Sequence, residues 1–433
     1  MLLRFAAVYS LKRFKADGES PFGLRSPAPF FLRKNAPDNA PTNYQSLRDF
    51  RVRLRLYQDI LCRKALFLSD FWGRNMQIQG DTVRFSECDM PFVQKFGISA
   101  ATEMVLDYKS VQPLPFLYDT YQAADFLRIG RRKLFYYWKN ADSEYRTLTV
   151  RKKSGGVRQL FAPRDGLRAL QIRILHGILQ LLPVSKYATA YVRGSTLRAN
   201  AAPHVGKRYL LKLDITDFFG SIRFAQVYSA AFHTRYFPKQ IGVLFTALCC
   251  REEVLPQGAP TSPAISNLVM RNFDNALGNW CASRGIAYTR YCDDMTFSAD
   301  VSLYAVYQKA RAMLREMGFV LNERKTKFFT NTTRQSVTGL TVNEKVSVPA
   351  DYKRELRQEV YYALKFGVAD SILHANRTDF IENGVPNAER YAAHLIGRLR
   401  FVLQIEPQNI WAQKALRAMD SATTQLVCEP YGR

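Results

Sequence analysis

The chain has 433 residues, 47% of them hydrophobic and 13% aromatic, which is enough to bury a large core and too apolar for a disordered protein. Sixty-two Lys and Arg against 37 Asp and Glu leave a formal charge of +25, too lopsided for an ordinary metabolic enzyme; it implies a polyanionic partner, nucleic acid first and an anionic membrane second. No apolar run approaches the ~20 residues of a membrane span, Arg4 interrupts the apolar N-terminus so that no secretory leader is expected, and seven cysteines without a CxxC pair fit a reducing cytoplasm better than a disulfide or zinc framework.

In chain order, residues 1 to about 112 are weakly patterned: a Pro-, Ala- and Asn-rich stretch, SPFGLRSPAPFFLRKNAPDNAPTN, precedes a basic run with helical spacing, RDFRVRLRLYQDILCRKALFL. From Tyr118 the pattern tightens, with helices expected in YQAADFL and RRKLFYYW. RTLTVRK and RQLFAP read as strands around the turn KSGG, a hairpin with basic residues at its tip. Residues 164–182 place Leu167, Leu170, Ile174, Ile178, Leu181 and Leu182 at helical spacing, with Pro183 as the stop. LLKLDITDFF is a short buried strand. Ser262 and Pro263 read as cap and first turn of a helix through Trp280 that ends by Gly285. A hairpin, a helix to Met317 and the strand-like pieces FVLNERKTKFF, SVTGLTVN and VSVP follow, and from about residue 350 the chain is helical.

The hairpin RYCDDMTFS, residues 290–298, places two adjacent carboxylates, Asp293 and Asp294, between arms of β-prone, substantially apolar composition. An isolated pair of Asp is usually a solvated turn. Between buried arms, like charges repel and are costly to desolvate unless a cation compensates them. Asp214, at the end of the strand built from Leu210, Leu211, Leu213 and Ile215, supplies a third carboxylate. Three such oxygen donors suit two Mg²⁺ ions, one activating an attacking hydroxyl and one holding a departing pyrophosphate, with a nucleotide's phosphates completing the sparse site.

The ordered motifs KKSGGVRQLFAP, LLKLDITDFFGSI, LPQGAPTSP, YCDD, GFVLNERKTKF and VTGLTVN resemble those of reverse transcriptases. The elements Asn200-Ala201-Ala202-Pro203-His204 and Val337-Thr338-Gly339 make the resemblance one to the retron type, over residues 118 to about 405; Cys292 stands where that family usually has Ala. The resemblance implies an α+β right-hand polymerase: an N-terminal extension (1–112), fingers (113–205, completed by about 222–255), a palm of antiparallel sheet backed by helices (206–221 and 256–348) and a helical thumb (349–433). It implies Asp214, Asp293 and Asp294 as catalytic, with Ile215 joining them at two Mg²⁺ ions for which Mn²⁺ can substitute. Nucleotide contacts would come from Lys153, Arg158, Asp217, Phe218, Phe219, Gln257, Gly258 and Lys325. Phe219 would exclude a ribose 2′-hydroxyl, although it also reads as an ordinary core aromatic; Lys325 and Lys327 compete to assist pyrophosphate departure. RNA and primer contacts would come from Asn200, His204, Val337, Thr338, Gly339, Arg398 and Arg400, any one of which also reads as structural or solvated.

The function implied is RNA-directed DNA synthesis on part of a cognate structured noncoding RNA, primed from an RNA 2′-hydroxyl. The partners implied are that RNA, deoxynucleoside triphosphates, the RNA-linked single-stranded DNA and a separate effector protein of an antiphage system, without membrane. Two rivals remain: an RNA-binding scaffold for an effector, which has no need of costly clustered carboxylates, and a group II intron or diversity-generating reverse transcriptase, against which NAAPH and VTG weigh.

Overall fold

The computed structural model describes residues 77–428 apart from 80–81, 112, 152–154 and 383. The Pro-rich stretch and the basic run expected to be helical lie outside the described residues. The chain divides into two compact units, one whose described part runs from residue 77 to Phe135 with Tyr236–Ile241, the other holding Tyr136–Arg235 and the chain from Gly242 onward.

In the first unit, a hairpin of β1 (Gln77–Gln79) and β2 (Thr82–Arg84) precedes helices Met90–Phe96, Ile98–Val111 and Thr120–Phe126. This is more order than the weak patterning up to residue 112 predicts. The core is aromatic and drawn from separate elements: the Phe92 ring lies 5.0 Å from Tyr118 and 5.2 Å from Phe116, with Phe96 alongside. Such a cluster leaves no single period in the sequence. Asp119 caps the third helix by accepting from the backbone N–H of Tyr121 and Gln122.

The second unit opens with the antiparallel hairpin of β3 (Tyr145–Arg151) and β4 (Val157–Pro163). The next helix, Asp165–Gly177, buries Leu167, Leu170 and Ile174 as the spacing predicts, but stops short of Pro183. Gly177 is a poor helix former, Ile178 leaves helical backbone at φ −130°, and Leu179–Leu181 continues as a tighter 3₁₀ turn.

The main sheet comprises β5 (Tyr209–Asp214), β6 (Ala287–Tyr291), β7 (Asp294–Ala299) and β8 (Lys327–Thr330) in the order β6-β7-β5-β8, antiparallel throughout. In β5 the consecutive Leu210 and Leu211 are both buried, so both faces of this inner strand are covered. Helix Ser262–Ala282 packs beside β6. Its cap is Thr261 rather than the expected Ser262, whose hydroxyl instead donates to the Pro256 carbonyl from inside the first turn. The strand expected across FVLNERKTKFF shrinks to Lys327–Thr330, because Asn322–Thr326 closes a turn through Lys325 and Thr326 N–H groups on the Asn322 carbonyl.

A small hairpin of β9 (Ser336–Val337) and β10 (Leu340–Thr341) leads into helices Ala350–Phe366, Val368–His374, Ala388–Ile405 and Ile410–Cys428. Leu356, Val360, Leu395, Leu399 and Val402 form their shared core, into which Val337 and Leu340 project. The result is a mixed helix and sheet protein with antiparallel sheets.

Candidate active site

Strand register assembles the three carboxylates. Asp214, last in β5, lies directly across from Asp294, first in β7, and the β6–β7 connection consists of Cys292 and Asp293 alone. The fold thus brings residues about eighty positions apart in the chain to one end of the sheet. Asp214 is buried and the other two are half-buried. Desolvation, reinforced by the charges of Asp293 and Asp214, pushes the Asp294 carboxyl up to about 6, with Lys212 and Lys325 partly opposing the rise.

A cation already answers this charge. Lys325 Nζ lies 2.8 Å from Asp214 Oδ2, and Asn322 donates from Nδ2 to Oδ1 at 3.2 Å and from its backbone N–H to the Asp214 carbonyl. Hydrogen bonding to Asp214 raises the Lys325 pKa. Lys327 instead sits across from Lys212 in the β5–β8 ladder, so of the two competing lysines it is Lys325 that contacts Asp214. Among the described residues no group of three His, Cys, Asp or Glu closes tightly enough to hold a metal by itself. Three carboxylates at one end of the sheet, one of them paired with an ammonium, suit Mg²⁺, which takes few protein ligands and completes its shell with water and phosphate.

The chain after β5 turns sharply. Ile215 is buried and donates its N–H to the Asp293 carbonyl at 3.3 Å. Asp217 adopts left-handed backbone at φ +42° and is exposed, with its carboxylate against Gly220, where a Cβ would come within 2.3 Å of Oδ2. Phe218 is buried against Phe319, while Phe219 is half-buried beside it with ring centroids 5.5 Å apart. The Gln257-Gly258 loop lies on β4: the Phe161 N–H donates to the Gln257 carbonyl at 2.7 Å, and a Cβ on Gly258, at φ +125°, would meet the Phe161 carbonyl oxygen at 3.0 Å. Only glycine fits that approach without strain. Arg158 is exposed on β4, opposite Val150, and Lys153 lies outside the described residues.

The two elements most specific to the retron resemblance meet each other. Asn200 donates from Nδ2 to Thr338 Oγ1 at 3.3 Å and accepts from Thr189 Oγ1 at 2.6 Å. Thr338 and Gly339 form the two-residue β9–β10 turn, both at positive φ (46° and 83°), a strained geometry for a β-branched residue. His204 is fully buried, with Nδ1 2.7 Å from Ser298 Oγ and Nε2 2.8 Å from Thr289 Oγ1. Thr289 donates onward to the Asn200 carbonyl, so Nε2 carries the His204 proton and Nδ1 accepts. Val337 is buried in the C-terminal helical core. Arg398 is turned onto Glu359 and Glu355 within the C-terminal helices, whereas Arg400 is exposed.

Sequence reasoning missed Asn322 and Lys212, both of which lie inside quoted motifs, and the buried pair Arg290–Asp274 behind the Cys292–Asp293 turn. Arg290 immediately precedes the YCDD motif; Asp274, in mid-helix, carries no local signal.

Residues 150–346 match the family described as reverse transcriptase (RNA-dependent DNA polymerase). The chain is 35% identical over 285 residues to the retron Mx65 reverse transcriptase of Myxococcus xanthus, covering 61% of this chain and 62% of that one. It is 33% identical over 256 residues to the retron Ec86 reverse transcriptase of Escherichia coli, covering 58% of this chain and 79% of the other. The retron Ec83 reverse transcriptase of Escherichia coli is 29% identical over 281 residues, covering 61% and 84%. The chain therefore spans less than two thirds of the Mx65 protein but most of the two Escherichia coli proteins.

Proposed function

The chain belongs to the retron-type reverse transcriptases, and from that premise we propose that it copies part of a cognate structured noncoding RNA into single-stranded DNA, using deoxynucleoside triphosphates and an RNA 2′-hydroxyl as primer. The observation that carries this reading is the register pairing of Asp214 with Asp294, next to Asp293, with the Lys325 ammonium on Asp214. A cation-demanding carboxylate group at the end of a sheet has little structural value, since burying like charges costs stability.

In this reading the four-stranded sheet with its helices is the palm (206–221 and 256–348), and the β3–β4 hairpin belongs to fingers spanning 113–205 and about 222–255. The helices from 349 to 433 are the thumb, and residues 1–112 form an extension. Asp214, Asp293 and Asp294, with the Ile215 backbone, would hold two Mg²⁺ ions. These supply Lewis-acid stabilisation of the attacking and departing oxygens. Lys325, held on Asp214, is the ammonium that would neutralise the departing pyrophosphate. Phe219 blocks a 2′-hydroxyl, Asp217 and Phe218 shape the sugar pocket, Gln257-Gly258 back the incoming nucleotide, and Lys153 with Arg158 reach its triphosphate. Arg400 contacts RNA, while Asn200, His204 and Val337–Gly339 fix the surface on which RNA and primer rest. A separate effector protein and a role in antiphage defence complete the proposal.

The test is direct. Purified protein, the transcript of a structured RNA encoded beside its gene, Mg²⁺ and deoxynucleotides should yield DNA that remains covalently attached to RNA. DNA made only from an added primer, or none with any flanking transcript, would contradict the proposal.

A further inference from the structure

We propose that Arg290 is a positioning residue that clamps the catalytic turn to the palm helix; the proposal rests on the polymerase reading above. Arg290 and Asp274 side chains are both fully buried. Arg290 places Nε 2.8 Å from Asp274 Oδ1 and Nη2 2.6 Å from Oδ2, a two-armed fork onto helix Ser262–Ala282. Its third arm, Nη1, donates to the Cys292 carbonyl at 2.8 Å. Tyr288 Oη donates to Asp274 Oδ1 at 2.8 Å, completing the network.

The target of the third arm gives the network its meaning. Cys292 has φ +61° while Asp293 is not at positive φ, the type II′ pattern in which the first turn position favours glycine. A side-chain-bearing residue holds that backbone only where its surroundings over-determine it. The carbonyl Arg290 grips belongs to this residue, one peptide before Asp293 and two before Asp294. Release of the grip lets the turn relax, and both carboxylates move relative to Asp214. The backbone of Arg290 is itself pinned, its N–H on the Tyr187 carbonyl and its carbonyl receiving the Thr189 N–H. An apolar strand end would satisfy the core without any of this, because a buried ion pair adds little net stability over apolar replacements.

Two variants test it. Arg290→Met/Asp274→Leu/Tyr288→Phe replaces the whole network with apolar groups, leaving no buried charge unpaired. Arg290→Lys keeps a charge for Asp274 but has no second arm for the Cys292 carbonyl. Each is compared with wild type for thermal transition, RNA affinity, kcat and KM for deoxynucleotides, and Mg²⁺ dependence. The expectation is a folded protein with wild-type RNA affinity, kcat lower by roughly tenfold to a hundredfold, and a higher Mg²⁺ requirement, since misplaced carboxylates hold the ions less well. Wild-type kcat and Mg²⁺ dependence in either folded variant would overturn the proposal. Loss of fold in both would overturn it too, showing a stability element only. Failure of the polymerase reading shows separately, as an inactive wild-type protein.

Discussion

Phe219 and Asp294 show how the proposed chemistry depends on single side chains. Phe219 is half-buried against Phe218, five residues beyond Asp214. If its ring closes the space beside the sugar, Phe219→Ala should admit ribonucleotides, raising ribo- over deoxynucleotide incorporation in steady-state assays with matched pairs. Unchanged discrimination would reduce Phe219 to a core aromatic. Asp294 makes a pH prediction. Its carboxyl is pushed up to about 6 from an ordinary 3.8, so below pH 6 it holds a proton that Mg²⁺ must displace. The rise in Tm produced by Mg²⁺ should therefore shrink as pH falls through 6. A rise that stays constant from neutral pH to well below 6 would mean that Asp294 does not ligate the ion.

At the scale of elements, the NAAPH segment shows what the sequence revealed and what it hid. Burial lowers the His204 pKa to about 4, keeping the ring neutral, as its donor-and-acceptor role between Ser298 of β7 and Thr289 of β6 requires. His204→Ala should cost roughly 2–4 kcal/mol, by leaving a cavity and unpaired hydroxyls at the back of the sheet. Denaturant unfolding would measure it, and a change under ~0.5 kcal/mol, typical of surface sites, would contradict the role. The presence of an important His was legible, but not its partners, which come from strands some ninety residues away. The same holds for Asp214 and Asp294. Strand periodicity and clustered charge announced both, and only the antiparallel register made them neighbours. Boundaries were less legible: Gly177, Thr261 and the turn at Asn322 displaced helix and strand ends from their expected places. The buried Arg290–Asp274 fork was invisible, since a charged residue in a strand reads as exposed until its partner is seen.

For the whole molecule, the excess of 62 Lys and Arg over 37 Asp and Glu is its most evident property. Binding of nonspecific RNA should fall steeply with salt as counterions are released, while a cognate structured RNA keeps shape- and base-dependent contacts, so the gap widens with ionic strength. Equal slopes and affinities for cognate and scrambled RNA would contradict specific recognition. No helix among the described residues is long and apolar enough to cross a membrane.

The central claim is that Asp293 and Asp294 serve chemistry and not the fold, and the double substitution Asp293→Asn/Asp294→Asn tests it most directly. It keeps side-chain size and removes two charges from the proposed metal site, and losing ~4 kcal/mol of transition-state stabilisation already means roughly a thousandfold in rate. Relief of like-charge repulsion should leave the thermal transition intact, and basic surfaces elsewhere should leave RNA affinity unchanged. With both confirmed, the account predicts that RNA-linked DNA falls by roughly a thousandfold or more; synthesis at near wild-type rate would contradict it.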